Sequence, residues 1–363
     1  MRVGFVGWRG MVGSVLRSRM ESEGDLDGIE LSYGSTSSPG SLGPDGAPLF
    51  DANDIDSLAA MDAVVTCQGG GYTSRVHPTL RQAGWSGFWV DAASTLRMQP
   101  ATTLVLDPVN GTAIEAAIRS GYRDFVGPNC TVSLLLLALN GLIQRGCVEW
   151  ISTMSYQAAS GAGAANMREL VQQMAFLGHE TVVDGDTPLA LDNRIASRLR
   201  EADFPNQNFG VPLAASAIPW IDRLVDDGQT REEWKAMAEA NKLLDRASRP
   251  LPIDGICVRI GSMRSHAQAV TIKLNAAIPL DEVEGMIRDS HEWTDVVPNR
   301  KDETLQRLTP AAVAGTLQVP VGRLRTLKMG PEYLTAYTVG DQLLWGAAEP
   351  LRRVLLMIRD SGA

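Results

Sequence analysis

A cysteine at the end of a turn is the residue in this sequence best suited to nucleophilic chemistry. Cys130 follows the structure-breaking residues 127–129 (Gly-Pro-Asn) and precedes an apolar run over residues 134–139. This pattern predicts a strand at 125–126, a turn, and a helix that begins at or beside Cys130. Unpaired N–H groups and the helix dipole at such an N-terminus favour a thiolate over a thiol. The alternative is a small buried apolar side chain next to a helix.

A glycine-rich turn near the start of the chain predicts a dinucleotide site. The apolar run 3–6 predicts a buried strand, and residues 7–13 (GWRGMVG) lead from it into a helical pattern. That order places backbone N–H groups and a helix N-terminus where a pyrophosphate can bind. The spacing is G-x-x-G-x-x-G instead of G-x-G-x-x-G, and a plain strand-to-helix turn is the alternative.

The end of the second predicted strand, residues 29–33, favours NADP over NAD. NAD sites commonly place an acidic residue there for the ribose 2′-hydroxyl. Here residues 34–38 (GSTSS) offer hydroxyl groups and no carboxylate, and Arg9 could add positive charge. A serine-rich turn without a ligand is the alternative.

Further strands are predicted at residues 63–67, 88–91 and 104–107, separated by helical or loop segments. This alternation indicates a parallel, doubly wound sheet. Ligands bind beyond the carboxyl ends of such strands, so Gln68, after the third strand, is expected near the cofactor. Arg97 also follows the end of a strand. It could bind an anion or simply be solvated, and the sequence favours neither interpretation.

The sequence of the second half of the chain predicts a mixture of strands and helices without regular alternation. Strands are expected at 150–156, at 256–266 with a break at Gly261, and at 268–273. A helix is expected at 166–174. A second helix is expected to begin after Thr230, which would cap it, with Glu233 completing a capping box. A third is expected from 342 to about 359, with a kink at Pro350. Residues 182–210 are expected to form an irregular surface excursion.

Several charged or titratable residues of this half are candidates for a site. Arg259 lies among apolar neighbours, where a charge needs an anionic partner. His266 is a candidate general base, with a structural histidine as the alternative; the same chemistry is less favoured at His77, His179 and His291. Glu232 and Lys235 share a helix face, and an ordinary surface ion pair is the alternative there.

The composition bounds the class of protein. The chain has 363 residues and a net charge of −9, with no long basic run, so nucleic acid and anionic membranes are unfavoured partners. The 4 cysteines form no C-x-x-C pair and no secretory signal precedes them. They indicate reduced thiols in a cytoplasmic protein, with neither a disulfide framework nor a metal site.

Many ordered segments together resemble the aspartate-β-semialdehyde dehydrogenase family, in its Gram-negative bacterial form, over nearly the whole chain. They include GFVGWRGMVGSVL, DAASTLRM, GPNCTVSL, YQAASGAGA, NFGVPLA, IPWID, REEWK, VRIGSMRSHAQA and VGDQLLWGAAEPLRR. The resemblance implies an α/β fold with a Rossmann-like, doubly wound NADP-binding domain (residues 1–129 and 345–363). It also implies an α+β catalytic and dimerisation domain of the glyceraldehyde-3-phosphate-dehydrogenase-like type (130–344).

The resemblance also implies roles for individual residues. Cys130 would be the acyl-thioester nucleophile, His266 the acid/base, and Gln157 the residue that orients the substrate. Substrate would be bound by Arg259 and Glu232, and phosphate by Arg97 and Lys235. The implied cofactor contacts are Arg9, Gly10, Met11, Val12, Gly13, Thr36, Ser37, Gln68, Ser160, Gly161, Pro188 and Gln342.

The implied reaction is the reversible, NADPH-dependent conversion of L-aspartyl 4-phosphate to L-aspartate 4-semialdehyde and phosphate by a cytoplasmic homodimer. It would serve biosynthesis of lysine and diaminopimelate, methionine, threonine and isoleucine. One alternative is another acyl-phosphate reductase, such as the N-acetyl-glutamyl-phosphate type; Glu232 opposite a free ammonium argues against it. The other is a non-catalytic NADP-binding relative, which would not need the set Cys130, Gln157, Arg259 and His266.

Overall fold

The computed structural model describes residues 1–179, 185, 187–225 and 227–362. The first part of the chain alternates strands with helices, as the sequence predicts. In chain order it forms β1 (Arg2–Val6), α1 (Met11–Ser22), β2 (Glu30–Ser35), β3 (Phe50–Asp51), α2 (Ile55–Ala59), β4 (Ala63–Thr66), α3 (Gly70–Gln82), β5 (Phe88–Asp91), β6 (Thr102–Leu104), α4 (Asp107–Arg119) and β7 (Asp124–Val126).

These strands form one parallel sheet in the order β3-β2-β1-β4-β5-β7-β6. The strand order reverses between β1 and β4, and ligands of doubly wound sheets bind at the carboxyl ends of strands beside such a reversal. The turn after β1 and the residues after β4 meet there, since Gly7 lies against the backbone of Cys67 and Gln68.

The rest of the chain carries a second, mixed sheet. In chain order it forms α5 (Cys130–Gln144), β8 (Val148–Gln157), α6 (Ala164–Gly178), α7 (Pro188–Arg198), β9 (Ala217–Ile218), α8 (Arg231–Leu243), β10 (Ile253–Ile260), β11 (His266–Leu274), α9 (Leu280–Arg288), β12 (Thr294–Val296), α10 (Lys301–Arg307), α11 (Pro310–Val313), β13 (Val319–Thr326), β14 (Tyr333–Gly340) and α12 (Glu349–Ser361). The sheet order is β12-β13-β14-β11-β8-β10-β9. Together the two sheets confirm the predicted α/β fold with a Rossmann-like part and a second mixed sheet.

Helix α5 is the central element of the second core. Its residues 131–143 are all buried, and a helix that is apolar on every side belongs inside a protein. It packs between α8, α9 and the second sheet. The nucleophile candidate therefore begins a helix that the core holds rigidly.

The C-terminal helix α12 returns to the first sheet. Leu351, Leu355 and Ile358 are buried in one cluster with Val3 and Phe5 of β1. A π-helical turn (Leu344–Ala348) precedes α12 directly. The predicted kink at Pro350 is wrong, because this proline lies in the first turn of α12, where its missing N–H leaves no hydrogen bond unmade.

Three other predictions of local structure need correction. The strand predicted at 104–107 is displaced, since β6 ends at Leu104 and the Asn110 side chain accepts a hydrogen bond from Leu106 N–H and donates one to Leu104 O. The break predicted at Gly261 is confirmed, because β10 ends at Ile260, but the segment 256–266 does not resume as the same strand: His266 already belongs to β11, which was predicted to start at 268. The excursion 182–210 is not irregular throughout, because Thr187 caps helix α7; its residues 182–184 and 186 lie outside the described part.

Among the described residues, no helix has the length and apolar character needed to cross a membrane.

Candidate active site

Cys130 lies in the wall of a cavity of about 370 Å³ between the two sheets. The side chains that reach it come from the end of the first sheet, the starts of α5 and α8, and the ends of β8 and β10. The lining includes Val12, Arg97, Asn129, Cys130, Gln157, Ser160, Gly161, Asp222, Glu232, Lys235, Arg259 and Gln342. The structure thus brings together the predicted nucleophile, both substrate-binding candidates and both phosphate-binding candidates.

Asn129 fixes the turn that presents the nucleophile. Its side-chain oxygen accepts from the backbone N–H of Thr131 at 2.9 Å and so caps α5. Its own backbone N–H donates to Glu239 Oε2 at 2.6 Å, and its Nδ2 donates to Glu232 Oε1 at 2.9 Å. Two buried carboxylates of α8 therefore hold the residue before Cys130.

A π-helical turn covers the other side of Cys130. A Cβ atom at Gly346 would lie 2.5 Å from Cys130 Cβ, so only glycine permits this approach. Nearby, Gln342 Oε1 accepts from Ser265 N–H at 2.6 Å, and its Nε2 donates to Ser160 Oγ at 2.5 Å. The chain that leads into α12 is thereby locked against the loop after β8.

The thiol of Cys130 is protonated at neutral pH in the unliganded site, contrary to the prediction from the helix start. Burial, and after it the nearby Glu232 carboxylate, raise its pKa to about 12. The cations Lys235, Arg259 and Arg97 act in the opposite direction but do not prevail. Dehydration of the thiolate outweighs the helix dipole here, so activation has to accompany substrate binding.

His266, at the start of β11, is fully buried and neutral. Burial and then the charge of Arg259 lower its pKa to about 3. Its Nδ1 accepts a hydrogen bond from Ala158 N–H at 3.0 Å, which assigns the proton to Nε2. Nε2 itself has no hydrogen-bond partner among the described residues. In this tautomer the neutral imidazole presents Nε2–H as a hydrogen-bond donor, while Nδ1 is already engaged as an acceptor.

Gly161 separates His266 from the cavity. A Cβ atom at this position would lie 3.1 Å from His266 Nε2 and 2.9 Å from a terminal nitrogen of Arg259. The imidazole does not line the cavity directly. It reaches the reacting centre only past a residue that lacks a side chain.

Arg259 is a buried cation that lacks an acidic partner in the described part of the chain. It is 6% exposed, lines the cavity, and donates to Ala158 O at 2.8 Å. Burial lowers the pKa of its guanidinium, and none of the described carboxylates forms a salt bridge with it. A buried charge of this kind requires an anion, and the cavity is where a ligand can supply it.

Glu232 and Lys235 form a buried pair, so the interpretation as a surface ion pair is wrong. Lys235 Nζ lies 2.7 Å from Glu232 Oε2, and Gln157 Nε2 donates to Glu232 Oε1 at 3.1 Å. Although burial alone would raise it, the Lys235 charge and hydrogen bonds lower the pKa of Glu232 to about 2. Glu232 thus stays ionised and orients the Gln157 amide.

Arg97 is buried and fixed, which excludes the interpretation as a solvated arginine. Its Nε donates to Gly127 O, one terminal nitrogen to Ala92 O, and the other to Glu239. One terminal nitrogen lies within 3.4 Å of both Glu239 oxygens, whereas the other has a single bond, to Ala92 O, and keeps one N–H for a ligand. The Arg97 side chain lines the cavity that contains Cys130.

A second cavity, also about 370 Å³, lies at the glycine turn. Gly7 has φ +80, and a Cβ atom there would lie 2.5 Å from the backbone of Cys67; one at Gly13 would lie 2.2 Å from Gly7 O. The glycines therefore permit a tight turn and close helix–strand packing, as a pyrophosphate cradle needs.

The far end of this second cavity is rich in hydroxyl groups. Ser35 Oγ accepts from the backbone N–H of Ser38, and an Arg9 terminal nitrogen donates to Ser38 Oγ at 2.9 Å. Arg9 is the one charged side chain in its lining. These features suit an additional phosphate on the ribose better than a free 2′-hydroxyl.

The implied cofactor contacts fall into three groups. One group lines the glycine-turn cavity: Arg9, Gly10, Thr36, Ser37 and Gln68. Another lines the Cys130 cavity: Val12, Ser160, Gly161 and Gln342. Met11 and Gly13 lie in the first turn of α1 without lining either cavity, and Pro188 is exposed at the start of α7 and also lines neither.

Three residues of the site were not predicted as such from the sequence: Asn129, which the pattern places only in a turn, Asp222, which occurs only within the IPWID segment, and Glu239. A signal for Glu239 exists, since it follows Glu232 by seven residues, or about two helical turns, and so shares its face. No local pattern marks Asp222.

Comparisons with known proteins match most of the chain to one family. Residues 2–117 match the model of the semialdehyde dehydrogenase NAD-binding domain, and residues 139–345 match that of the semialdehyde dehydrogenase dimerisation domain. The structure of aspartate semialdehyde dehydrogenase from Francisella tularensis is 47% identical, with a TM-score of 0.96, over 99% of this chain and 100% of that one.

Two further solved structures are more distant. Aspartate semialdehyde dehydrogenase II from Vibrio cholerae, complexed with ASA, is 25% identical over 99% of this chain and 98% of that one, with a TM-score of 0.79. The enzyme from Candida albicans with NADP is 15% identical over 99% and 98%, with a TM-score of 0.67, and shows the shared fold alone.

Proposed function

The chain belongs to the semialdehyde dehydrogenase family, and on that premise we propose that it interconverts L-aspartyl 4-phosphate and L-aspartate 4-semialdehyde. The reaction is reversible, uses NADPH in the reductive direction, releases phosphate, and passes through a thioester on Cys130. Of the acyl-phosphate reductases, the aspartyl type is favoured because Glu232 offers a carboxylate to a free ammonium group.

The observation that carries this proposal is the unpaired Arg259 in the cavity of Cys130. A guanidinium binds a carboxylate through two parallel hydrogen bonds. Arg97 and Lys235 form a second cationic group in the same lining. A substrate with a carboxylate at one end and a phosphoryl group at the other matches two separate cationic groups with a nucleophile in the same cavity.

The residues divide the chemistry between them. As the bond from Cys130 Sγ to the acyl carbon forms, the bond to the phosphate oxygen breaks and the thiol proton leaves with the phosphate, whose charge Arg97 and Lys235 balance. Bound NADPH would supply a hydride to the thioester carbon; the C–S bond then breaks, the aldehyde leaves, and the Cys130 sulfur takes up a proton from solvent. His266 Nε2–H is available to the developing oxyanion, and backbone N–H groups at the start of α5 add to its stabilisation.

A coupled assay tests the proposal. With aspartate semialdehyde and NADP, we expect NADPH formation that depends on added inorganic phosphate and stops after alkylation of Cys130. N-acetyl-glutamate semialdehyde should not serve as a substrate. Absence of phosphate-dependent turnover with aspartate semialdehyde would reject the function.

Replacing Arg97 by leucine should chiefly impair the use of phosphate. The positive charge and the donors of the guanidinium disappear, so we expect the phosphate KM in the oxidative direction to rise by roughly tenfold or more. The KM for the aldehyde is the internal control and should change much less. An unchanged phosphate KM would reject this role for Arg97.

The cofactor preference is predicted to depend on Arg9. We propose NADP as the cofactor, and kcat/KM should clearly favour NADP over NAD. Replacing Arg9 by leucine should lower kcat/KM for NADP by roughly tenfold, because a charge-assisted hydrogen bond to the 2′-phosphate is lost. The kcat/KM for NAD should stay nearly constant. An equal loss for both cofactors would reject a contact between Arg9 and the 2′-phosphate.

We also propose that the protein is a homodimer that pairs through the outer face of the second sheet. On this face the side chains of β8 that point away from α5 are half-buried, among them Trp150, Met154 and Tyr156. Tyr337 of β14 lies on the same face, and Ile256 of β10 is 48% exposed. Light scattering that finds a monomer at micromolar concentration would contradict this.

We propose that the chain forms two domains, one from residues 1–129 with 345–363 and the other from residues 130–344.

Further parts of the proposal concern the cellular context. We propose a cytoplasmic location, no nucleic-acid partner, and a role in making lysine, diaminopimelate, methionine, threonine and isoleucine. Failure of the gene to restore growth of a strain that needs these products would contradict the biosynthetic role.

A further inference from the structure

Asp222 presents a carboxylate to the same ammonium group that is assigned to phosphate. Its Oδ2 lies 3.3 Å from Lys235 Nζ, and both residues line the Cys130 cavity. Asp222 belongs to the IPWID segment, and the proposed reaction assigns it no role. The free site therefore already holds an anion where phosphate would bind.

Lys235 is shared between two carboxylates of different mobility. Glu232 is held by the Asn129 and Gln157 amides as well as by Lys235, and its side chain is 8% exposed. The Asp222 side chain is 36% exposed, and its other bond is to the adjacent N–H of Arg223. Of the two, only Asp222 can turn into solvent without leaving buried groups unsatisfied.

The backbone at Asp222 holds the carboxylate in this position. Its φ is +71, in the left-handed region that few residues other than glycine, asparagine and aspartate adopt. Unfavourable backbone conformations of this kind persist where the surroundings impose them, and they cluster at ligand sites.

The nearby charges leave little attraction for phosphate while Asp222 stays in place. Arg97 is paired with Glu239 at 3.1 Å, and Lys235 is paired with Glu232 at 2.7 Å. A phosphate dianion that approaches Lys235 would meet the Asp222 carboxylate directly, and like charges repel.

We propose that Asp222 is an internal competitor of phosphate. Its carboxylate occupies Lys235 in the free enzyme and turns away when phosphate binds, which limits the affinity for phosphate. In the reductive direction the returning carboxylate assists phosphate release. This inference rests on the proposed function, since it concerns the phosphate site of that reaction.

The variant Asp222→Asn tests the proposal with little risk to folding. Asparagine keeps the shape of the side chain and tolerates a positive φ, but it removes the charge. The matched control is Asp227→Asn, which removes one negative charge from an exposed residue nearby that does not line the cavity. The thermal unfolding midpoints of both variants should lie close to that of the wild type.

In the oxidative direction, Asp222→Asn should lower the phosphate KM by roughly two- to fivefold, the range that partly exposed ion pairs reach. The aldehyde KM should stay within error, and Asp227→Asn should change neither constant. Independently of turnover, inorganic phosphate should protect Cys130 from alkylation at correspondingly lower concentrations in Asp222→Asn.

Two results would overturn the role of Asp222. An unchanged or raised phosphate KM would show that its carboxylate does not compete with phosphate. A raised aldehyde KM with unchanged phosphate KM would assign it to the substrate ammonium group instead. Loss of phosphate-dependent turnover in the wild type is a different outcome, because that would reject the proposed function itself.

Discussion

Replacing Cys130 by serine is expected to reduce turnover by roughly 10³-fold or more while leaving NADP binding intact. A serine hydroxyl is a weaker nucleophile than a thiol, and its ester accepts hydride less readily than a thioester does. Steady-state NADPH formation measures the first effect, and a direct titration with NADP measures the second. The glycine-turn cavity does not contain residue 130, so the cofactor affinity should hold.

Cys257 provides the matched control for this variant. Cys257 is buried, and burial raises its pKa to about 12 as it does for Cys130, but Cys257 does not line the Cys130 cavity. Cys257→Ser should therefore keep most of the wild-type turnover. Near wild-type activity of Cys130→Ser would reject Cys130 as the nucleophile.

The second large effect is expected at Arg259. Replacing it by leucine leaves the substrate carboxylate without a partner in the cavity. Loss of one member of a buried, hydrogen-bonded charge pair costs about 2–5 kcal/mol, so kcat/KM for aspartate semialdehyde should fall by roughly 30-fold to several thousandfold. The phosphate KM, measured at saturating aldehyde, should change far less.

Arg259→Lys separates charge from geometry. Lysine keeps the positive charge but has no planar pair of donors, so we expect an intermediate loss of kcat/KM. If Arg259→Leu raises the phosphate KM and leaves the aldehyde KM unchanged, the two cationic groups of the cavity have been assigned the wrong way round.

The features that the sequence predicts well are those set by local physics. The turn before Cys130, the helix after it and the capping box of Thr230 and Glu233 each depend on a few adjacent residues. The same holds for the glycine turn, where only a residue without a side chain fits at Gly7 and Gly13. Apolar runs located β1, β2, β4, β5, β7 and, displaced, β6 of the first sheet, but only β8, β10 and β11 of the second; no strand was predicted at β3, β9, β12, β13 or β14.

The features that the sequence does not reveal depend on burial and on distant contacts. The helix start alone favours a Cys130 thiolate, but the pKa is raised because the thiol is enclosed. Glu232 and Lys235 have the spacing of a surface pair, and only the packing of α8 against the start of α5 shows that they are buried. Glu239 acts across 142 positions in the chain, on Arg97, which no local pattern can show.

The tautomer of His266 is a further case. The sequence offers a histidine for general base chemistry, and residue type alone cannot decide which ring nitrogen carries the proton. The N–H of Ala158, 108 positions away, decides it by donating to Nδ1. Nε2–H of His266 is therefore the group that is free to hydrogen-bond to a ligand, and the acid/base role of His266 stays a prediction.

The most direct test of the account is the mass of the protein after reaction without phosphate. Aspartate semialdehyde and NADP should convert Cys130 to its aspartyl thioester, because hydride is removed but no acceptor for the acyl group is present. We expect one acyl group per chain on the peptide that contains Cys130, and its loss when inorganic phosphate is added. NADPH formation without such an adduct, or an adduct on another residue, would contradict the mechanism.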